Sequence, residues 1–199
     1  NKKGTFVLRR RGGAAPPIAP PPAEGVRPAF VGGARPNLDF ERGDLSDWTA
    51  EGAAFAGQPV RGDTVTARGR EGSRHAGEHW IGGYELAGDA PTGTLTSVPF
   101  PVTQPFASFL VGGGGGEGTR VELETAPVEG GGRVFFRTTG ANFESLQRVV
   151  VDLSALVGKD IRIRLVDEAS GGWGHLNFDD FRFHATRPSF PRVPGVPPI

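Results

Sequence analysis

The chain has 199 residues and equal numbers of basic and acidic side chains, 22 of each, so its formal net charge is zero. That length allows one domain of ordinary size with additional tails. The chain contains no cysteine. This excludes disulfide bridges, thiolate metal sites, a thiol nucleophile and the Cys-x-x-Cys-His attachment of a c-type haem.

Basic residues and prolines are unevenly distributed along the chain. Residues 1–36 contain seven Lys or Arg and a single acid, Glu24. Residues 1–36 and 185–199 together hold 12 of the 18 prolines. The sequence therefore predicts three parts: an extended, basic, proline-rich tail over 1–36, a folded domain over 37–184, and a second extended proline-rich tail over 185–199.

The first tail combines three features that are typical of partner-binding segments. A short apolar run is able to add as a strand to another protein's sheet, an arginine triplet favours an acidic surface, and a proline run favours an extended helix that lies in a groove. The predicted partner-binding residues are Phe6, Val7, Leu8, Arg9, Arg10, Arg11, Pro20, Pro21 and Pro22.

Between the tails, apolar residues alternate with a period of two, which predicts strands. In chain order the predicted strands span 60–66, 94–100, 106–111, 119–124, 134–138, 148–153, 161–166 and 176–183. One helical turn is predicted over 153–158. Short strands separated by glycine-rich turns favour an all-β fold of two packed antiparallel sheets.

Aromatic residues mark a candidate ligand site. Trp80, Tyr84 and Trp173 lie in segments rich in glycine and polar residues, and His175 follows Trp173 closely. An aromatic face beside polar groups suits a sugar ring, and it also suits a protein interface. A third interpretation places these rings at the ends of the core.

Four carboxylates form a candidate metal site. Asp39 and Glu41 lie on an expected acidic first strand, before the alternating ones, and Asp179 and Asp180 lie on the last strand. If these segments are neighbours, their oxygen atoms are ligands of the kind that calcium prefers. The hypothesis is a structural calcium ion, and the alternative is solvated carboxylates paired with nearby arginines such as Arg182.

The sequence gives little support for catalysis. No Gly-x-Ser-x-Gly nucleophile motif is present. Asp167 and Glu168 are the one candidate acid–base pair, but adjacent residues on a strand point to opposite faces. We therefore predict that this protein is not an enzyme.

Several segments between residues 37 and 184 resemble galactose-binding-like β-sandwich domains of the jelly-roll type. They are 39–43, Trp48, 52–55, 93–97, 109–114, 151–153, 158–159 and 167–180. The sequence is similar to extra modules of levanase-like glycoside hydrolases and to domains of planctomycete-type extracytoplasmic proteins that accompany cytochrome domains. The resemblance implies a non-catalytic jelly-roll sandwich located in the periplasm or outside the cell. Related modules often carry a structural calcium ion, which implies roles for Glu41 and Asp180.

Two functions follow from these observations. The main hypothesis is an accessory, non-catalytic subunit that uses its tails to stabilise a larger extracytoplasmic assembly, such as a respiratory or photosynthetic membrane electron-transfer complex. Its partners are then protein subunits. The alternative is a carbohydrate-binding module with Trp80, Tyr84, Trp173 and His175 at the sugar site. Nucleic acid is not an expected partner, because the folded part is acidic.

Overall fold

The computed structural model describes residues 24–126 and 132–199. The residues predicted to bind a partner, Phe6 to Arg11 and Pro20 to Pro22, lie outside this part. The described strands are β1 (Trp48–Gly52), β2 (Val60–Arg61), β3 (His79–Gly82), β4 (Gly93–Ser97), β5 (Phe100–Pro101), β6 (Phe106–Gly113), β7 (Thr119–Thr125), β8 (Val134–Thr138), β9 (Phe143–Asp152), β10 (Asp160–Asp167) and β11 (Leu176–His184).

These strands form two antiparallel sheets. Sheet I has the order β1-β4-β10-β7-β8, with β5 also paired to β10, and sheet II has the order β2-β3-β11-β6-β9. The prediction of an all-β jelly-roll sandwich of two antiparallel sheets is confirmed.

Helical structure is limited to short segments. They are α1 (Thr64–Ala67), α2 (Gly83–Ala87) and a 3-10 turn (Ser154–Leu156), which lies inside the predicted helical turn. Among residues 24–126 and 132–199, no helix has the length and apolar character needed to cross a membrane.

The predicted strand over 60–66 is wrong beyond its first two residues. Asp63 accepts a hydrogen bond from the backbone N–H of Thr66 at 3.2 Å and so caps α1. A second predicted strand, 94–100, is divided between β4 and β5. The sequence patterns also missed β1 and β3. The acidic first strand expected at Asp39 and Glu41 is wrong, because residues 37–47 form bends and turns before β1. Only Trp48 of β1 is buried, so that strand has no alternating apolar signal.

The core lies between the sheets and is rich in phenylalanine. Phe178, Phe181 and Phe183 of β11 are almost completely buried. A β-bulge between Asp179 and Arg182, with Asp180 at a φ of 51°, shifts the alternation so that all three rings face the core. Leu176 belongs to the same core, and the bulge adds Phe181 to it.

The segments that flank the sandwich pack against it. Val26 and Phe183 exchange two backbone hydrogen bonds of 2.8 Å, and Pro28 is buried. At the other end, Gln147 of β9 donates its side-chain N–H to the carbonyl of Pro197 at 2.7 Å. Residues 185–199 therefore lie along their own domain, between the outer strands of the two sheets.

Replacing Phe178 by alanine is expected to lower the free energy of unfolding by about 3–5 kcal/mol, because the change leaves a cavity among close-packed rings. The Phe178 ring centroid lies 6.2 Å from those of Phe40 and Trp48 and 5.6 Å from that of Phe109. Urea unfolding measures the change. The control is Val157→Ala at a residue that is 49% exposed, where a loss below about 0.5 kcal/mol is expected. Equal losses for both variants would contradict this account of the core.

Candidate functional site

A cleft of about 240 Å³ opens at one end of sheet II. The residue that follows α1, helix α2, strand β9 and the glycine loop before β11 all contribute side chains to it. We call it the aromatic cleft, and its lining residues are Arg68, Arg70, Tyr84, Asp89, Glu144, Gly172, Trp173 and His175.

Glu144 is the buried charge at the base of the aromatic cleft. Its carboxylate accepts hydrogen bonds from Arg68 at 3.0 Å and from the side-chain amide of Asn177 at 3.1 Å. Burial opposes ionisation, but the interactions with His175, Arg68 and Asn177 outweigh it and lower the pKa of Glu144 to about 2. The Glu144 carboxylate is therefore ionised at neutral pH.

His175 connects this base to the wall of the cleft. Its Nδ1 lies 2.6 Å from an Asp89 oxygen, and its Nε2 lies 3.4 Å from Glu144, near enough for ion pairing. Burial disfavours the charged imidazole, but the two carboxylates outweigh that effect and raise the pKa of His175. Since a protonated imidazole donates from both nitrogens, it is the form that suits both carboxylates.

Two aromatic rings stand next to His175. The ring centroids of Tyr84 and Trp173 lie 5.3 Å and 5.5 Å from that of the imidazole. Arg68 lies over the Tyr84 ring at 4.5 Å, and Arg70 lies over the Trp173 ring at 5.5 Å. Both rings are half-buried, so each keeps an exposed part at the cleft. Planar guanidinium groups thus cover part of the aromatic surface.

The glycine loop before β11 places Trp173. This residue adopts a left-handed backbone with a φ of 64°. A Cβ atom at Gly174 would lie 2.7 Å from the carbonyl oxygens of Ala169 and Gly171. Only glycine fits this close approach, which sets the direction in which the loop presents the indole.

The predicted sugar-site residues are only partly brought together. Tyr84, Trp173 and His175 line the aromatic cleft, whereas Trp80 does not. Trp80 is fully buried, donates its ring N–H to the Gly62 carbonyl at 3.0 Å and stacks on His75. Its position on β3 directs it into a small second core instead of the solvent.

Sequence reasoning missed four polar residues of the cleft, and they come from three separate parts of the chain. They are Arg68, Arg70, Asp89 and Glu144. Glu144 lies in the first half of β9, where residues 143–147 show no alternation of apolar and polar residues that would predict a strand. No local signal pairs it with Arg68, because that contact depends on tertiary packing.

The side chains of the candidate acid–base pair, Asp167 and Glu168, point to opposite faces, as those of adjacent residues on a strand do. Asp167 is 3% exposed, one of its carboxylate oxygens has no hydrogen-bond partner, and burial raises its pKa to about 7. The Glu168 side chain is 59% exposed and forms an ion pair with Arg120 at 2.8 Å. Neither residue lines the aromatic cleft.

The four carboxylates considered for calcium each have protein partners. Asp39 pairs with Arg27 at 2.6 Å, and Asp180 pairs with Arg148 and Arg182. Glu41 accepts from the backbone N–H groups of residues 78 and 79, and Asp179 accepts from that of Ala76. Within residues 24–126 and 132–199, no group of three or more His or acidic residues has the arrangement of a metal site. These four residues therefore do not fit a shared calcium ion, and the structural calcium ion as a cofactor stays a prediction.

Comparison with known proteins gives one relative by sequence. The chain is 35% identical over 162 residues to the Aspergillus rugulosus protein named "Putative glycosyl hydrolase ecdE". The match includes 75% of this chain but only 21% of that protein. No family model matches the chain.

Solved structures of carbohydrate-binding modules are similar in fold. One is TmCBM61 in complex with β-1,4-galactotriose, with 20% identity, coverage of 73% of this chain and 93% of the other, and a TM-score of 0.43. Another is a family 35 carbohydrate-binding module from an environmental isolate, with 16% identity, coverage of 74% and 98%, and a TM-score of 0.36.

These comparisons correct the main functional hypothesis. An extrinsic subunit of a membrane electron-transfer complex is the wrong interpretation, because the sequence relative carries the name of a glycosyl hydrolase. The extended tails motivated that hypothesis, and most of the first tail lies outside the described residues. The described residues 185–199 pack against their own domain.

Replacing His175 by glutamine is expected to destabilise the protein most below about pH 6.5 and progressively less as the pH rises. Because the pKa of His175 is raised in the folded state, the charged imidazole stabilises the fold. This stabilisation is fully present at pH values below the unfolded-state pKa. It is lost as the pH rises through the folded-state pKa. Thermal unfolding at pH 5.5 and pH 9 measures the difference, with about 2–4 °C expected per kcal/mol of coupling.

His184→Gln is the matched control for that measurement. Burial and the charges of Arg148 and Arg182 lower the pKa of His184. Its neutral form is therefore favoured in the folded state, and the stability that it contributes is lost as the pH falls. The His184 variant should show the opposite pH trend, and identical trends would contradict the assigned charge states.

Proposed function

We propose that this protein is a non-catalytic carbohydrate-binding module that holds a sugar in the aromatic cleft. One observation carries the proposal: Tyr84 and Trp173 both pack next to the buried His175, which lies within ion-pairing distance of Glu144 and Asp89. Apolar faces of a sugar ring stack on aromatic rings, while its hydroxyl groups need fixed donors and acceptors. The aromatic cleft offers both in one place.

The polar groups of the cleft are suited to recognising hydroxyl groups. Asp89 is an acceptor whose side chain is 27% exposed, and Arg68 is a donor whose side chain is 30% exposed. Both are already held by buried partners, so a bound sugar would meet groups that are fixed in place. Such preorganisation reduces the entropy that is lost on binding.

The same geometry supports binding without hydrolysis. A glycosidase of the usual kind needs a carboxylic acid that stays protonated beside the scissile bond, and a second carboxylate across it. Glu144 has a lowered pKa of about 2 and so remains ionised. Asp167 has the raised pKa, yet it does not line the cleft. We propose that catalysis, in any longer protein of this type, belongs to another domain.

The proposed location is outside the cytoplasm, where polysaccharides are encountered. The fold similarity to carbohydrate-binding modules is in keeping with this location.

Trp173→Ala is expected to weaken sugar binding about thirtyfold, equivalent to about 2 kcal/mol, because it removes a stacking surface at the centre of the cleft. A glycan array that includes β-1,4-galactans and fructans first identifies a ligand for the full chain, and calorimetry then measures its affinity. Trp173→Phe is the matched control, since it keeps a ring and should retain most of the affinity. Circular dichroism checks that both variants are folded.

Either of two results would contradict the proposal. One is a ligand whose affinity is unchanged by Trp173→Ala and by Tyr84→Ala. The other is the release of reducing sugar from that ligand by the wild-type chain, which would make the cleft catalytic.

A further inference from the structure

A second groove lies at the edge of the sandwich where the strand orders of both sheets end. It runs between β8, the last strand of sheet I, and β9, the last strand of sheet II, and residues 187–199 form its outer wall. We call it the terminal groove. Its first part has a volume of about 510 Å³ and its second part about 500 Å³.

The two parts form one elongated groove. They share the lining residues Arg137, Thr138, Pro198 and Ile199. The outer wall is fixed by the hydrogen bond from Gln147 to the Pro197 carbonyl and by Phe190, whose ring lies 6.0 Å from that of His184. An elongated shape of this kind suits a linear chain more than a small ion.

Arginine dominates the first part of the terminal groove. Arg137, Arg148, Arg187 and Arg192 line it, and none of its lining residues is acidic. Arg148 is neutralised by Asp180, and Arg137 lies 3.6 Å from Glu122. Arg187 and Arg192 are exposed, and among the described residues neither guanidinium forms an ion pair within 4.0 Å, although the charge of Arg187 helps to lower the pKa of Asp152. Two guanidinium groups are thus available to an anionic ligand.

The groove wall is better suited to a polysaccharide than to a peptide strand. Pro191, Pro194, Pro197 and Pro198 lack backbone N–H groups, so this wall has few donors for pairing with a peptide backbone. The donors that remain are guanidinium groups, which match carboxylates in a two-point geometry. Phe136 and Phe190 add partly buried aromatic surface between the arginines.

From this combination, we infer that the terminal groove is a second carbohydrate site that binds an anionic polysaccharide of the polyuronate class through Arg187 and Arg192. The choice of a glycan over an acidic peptide rests on the proposed function. The aromatic cleft then holds a sugar at one place on the domain, and the groove holds an acidic chain at another.

The experiment measures binding of the full chain to polygalacturonate by affinity electrophoresis and calorimetry at 50 and 300 mM salt. The double variant Arg187→Gln/Arg192→Gln should lose affinity at least about tenfold at the lower salt concentration, because charge-assisted contacts are removed. The matched control, Arg35→Gln/Arg133→Gln, removes the same charge at two exposed arginines outside the groove and should change the affinity less than about twofold.

Three results would overturn the inference: no binding of polygalacturonate by the wild type, equal losses for the two double variants, or equal binding of polyglutamate. The first two exclude a built site, and the third indicates an acidic peptide instead. Trp173→Ala separates this inference from the proposed function. It should leave polygalacturonate binding intact, while the arginine variant should leave binding of the neutral ligand intact.

Discussion

The packing of the β11 phenylalanines is the constraint on which the rest of this structure depends. The strand sits at the centre of sheet II, between β3 and β6, and its rings contact residues of both sheets. The bulge at Asp180 turns the strand so that Phe181 joins the core. The same bulge contains two adjacent aspartates, Asp179 and Asp180, whose carboxylates need partners. Asp180 is held by Arg148 and Arg182, so the charge that the bulge introduces is compensated locally.

The aromatic cleft depends on the same strand. Asn177 is on β11, and its side chain binds both Glu144 and the first backbone N–H of α2. The core therefore fixes the register of β11, and β11 in turn places Glu144 and Tyr84 relative to one another. The cleft is built from rigid elements on one side and from the glycine loop on the other. His175 lies where the rigid elements meet the glycine loop, and it therefore contacts side chains from both.

The sequence predicted the strands whose segments are rich in β-branched and aromatic residues and are bounded by turn residues. The strands that became β6, β7, β8 and β10 were predicted to within two residues at most ends, because their apolar residues face one core. The first half of β9 was missed, since Glu144 there is a polar residue that packs inward only through distant partners. Trp80 is the opposite case. Its polar neighbours in the sequence indicate an exposed ring, but its position on β3 directs the ring inward.

The pairing of Val26 with Phe183 has a consequence for how this domain is joined to other sequence. The chain enters and leaves the sandwich side by side, at two backbone hydrogen bonds. A unit with adjacent ends is readily inserted into a surface loop of another domain, and it tolerates circular permutation when its ends are joined. The direction in which the sandwich projects from a host protein would then be set by these two segments, independently of the aromatic cleft at another part of the surface.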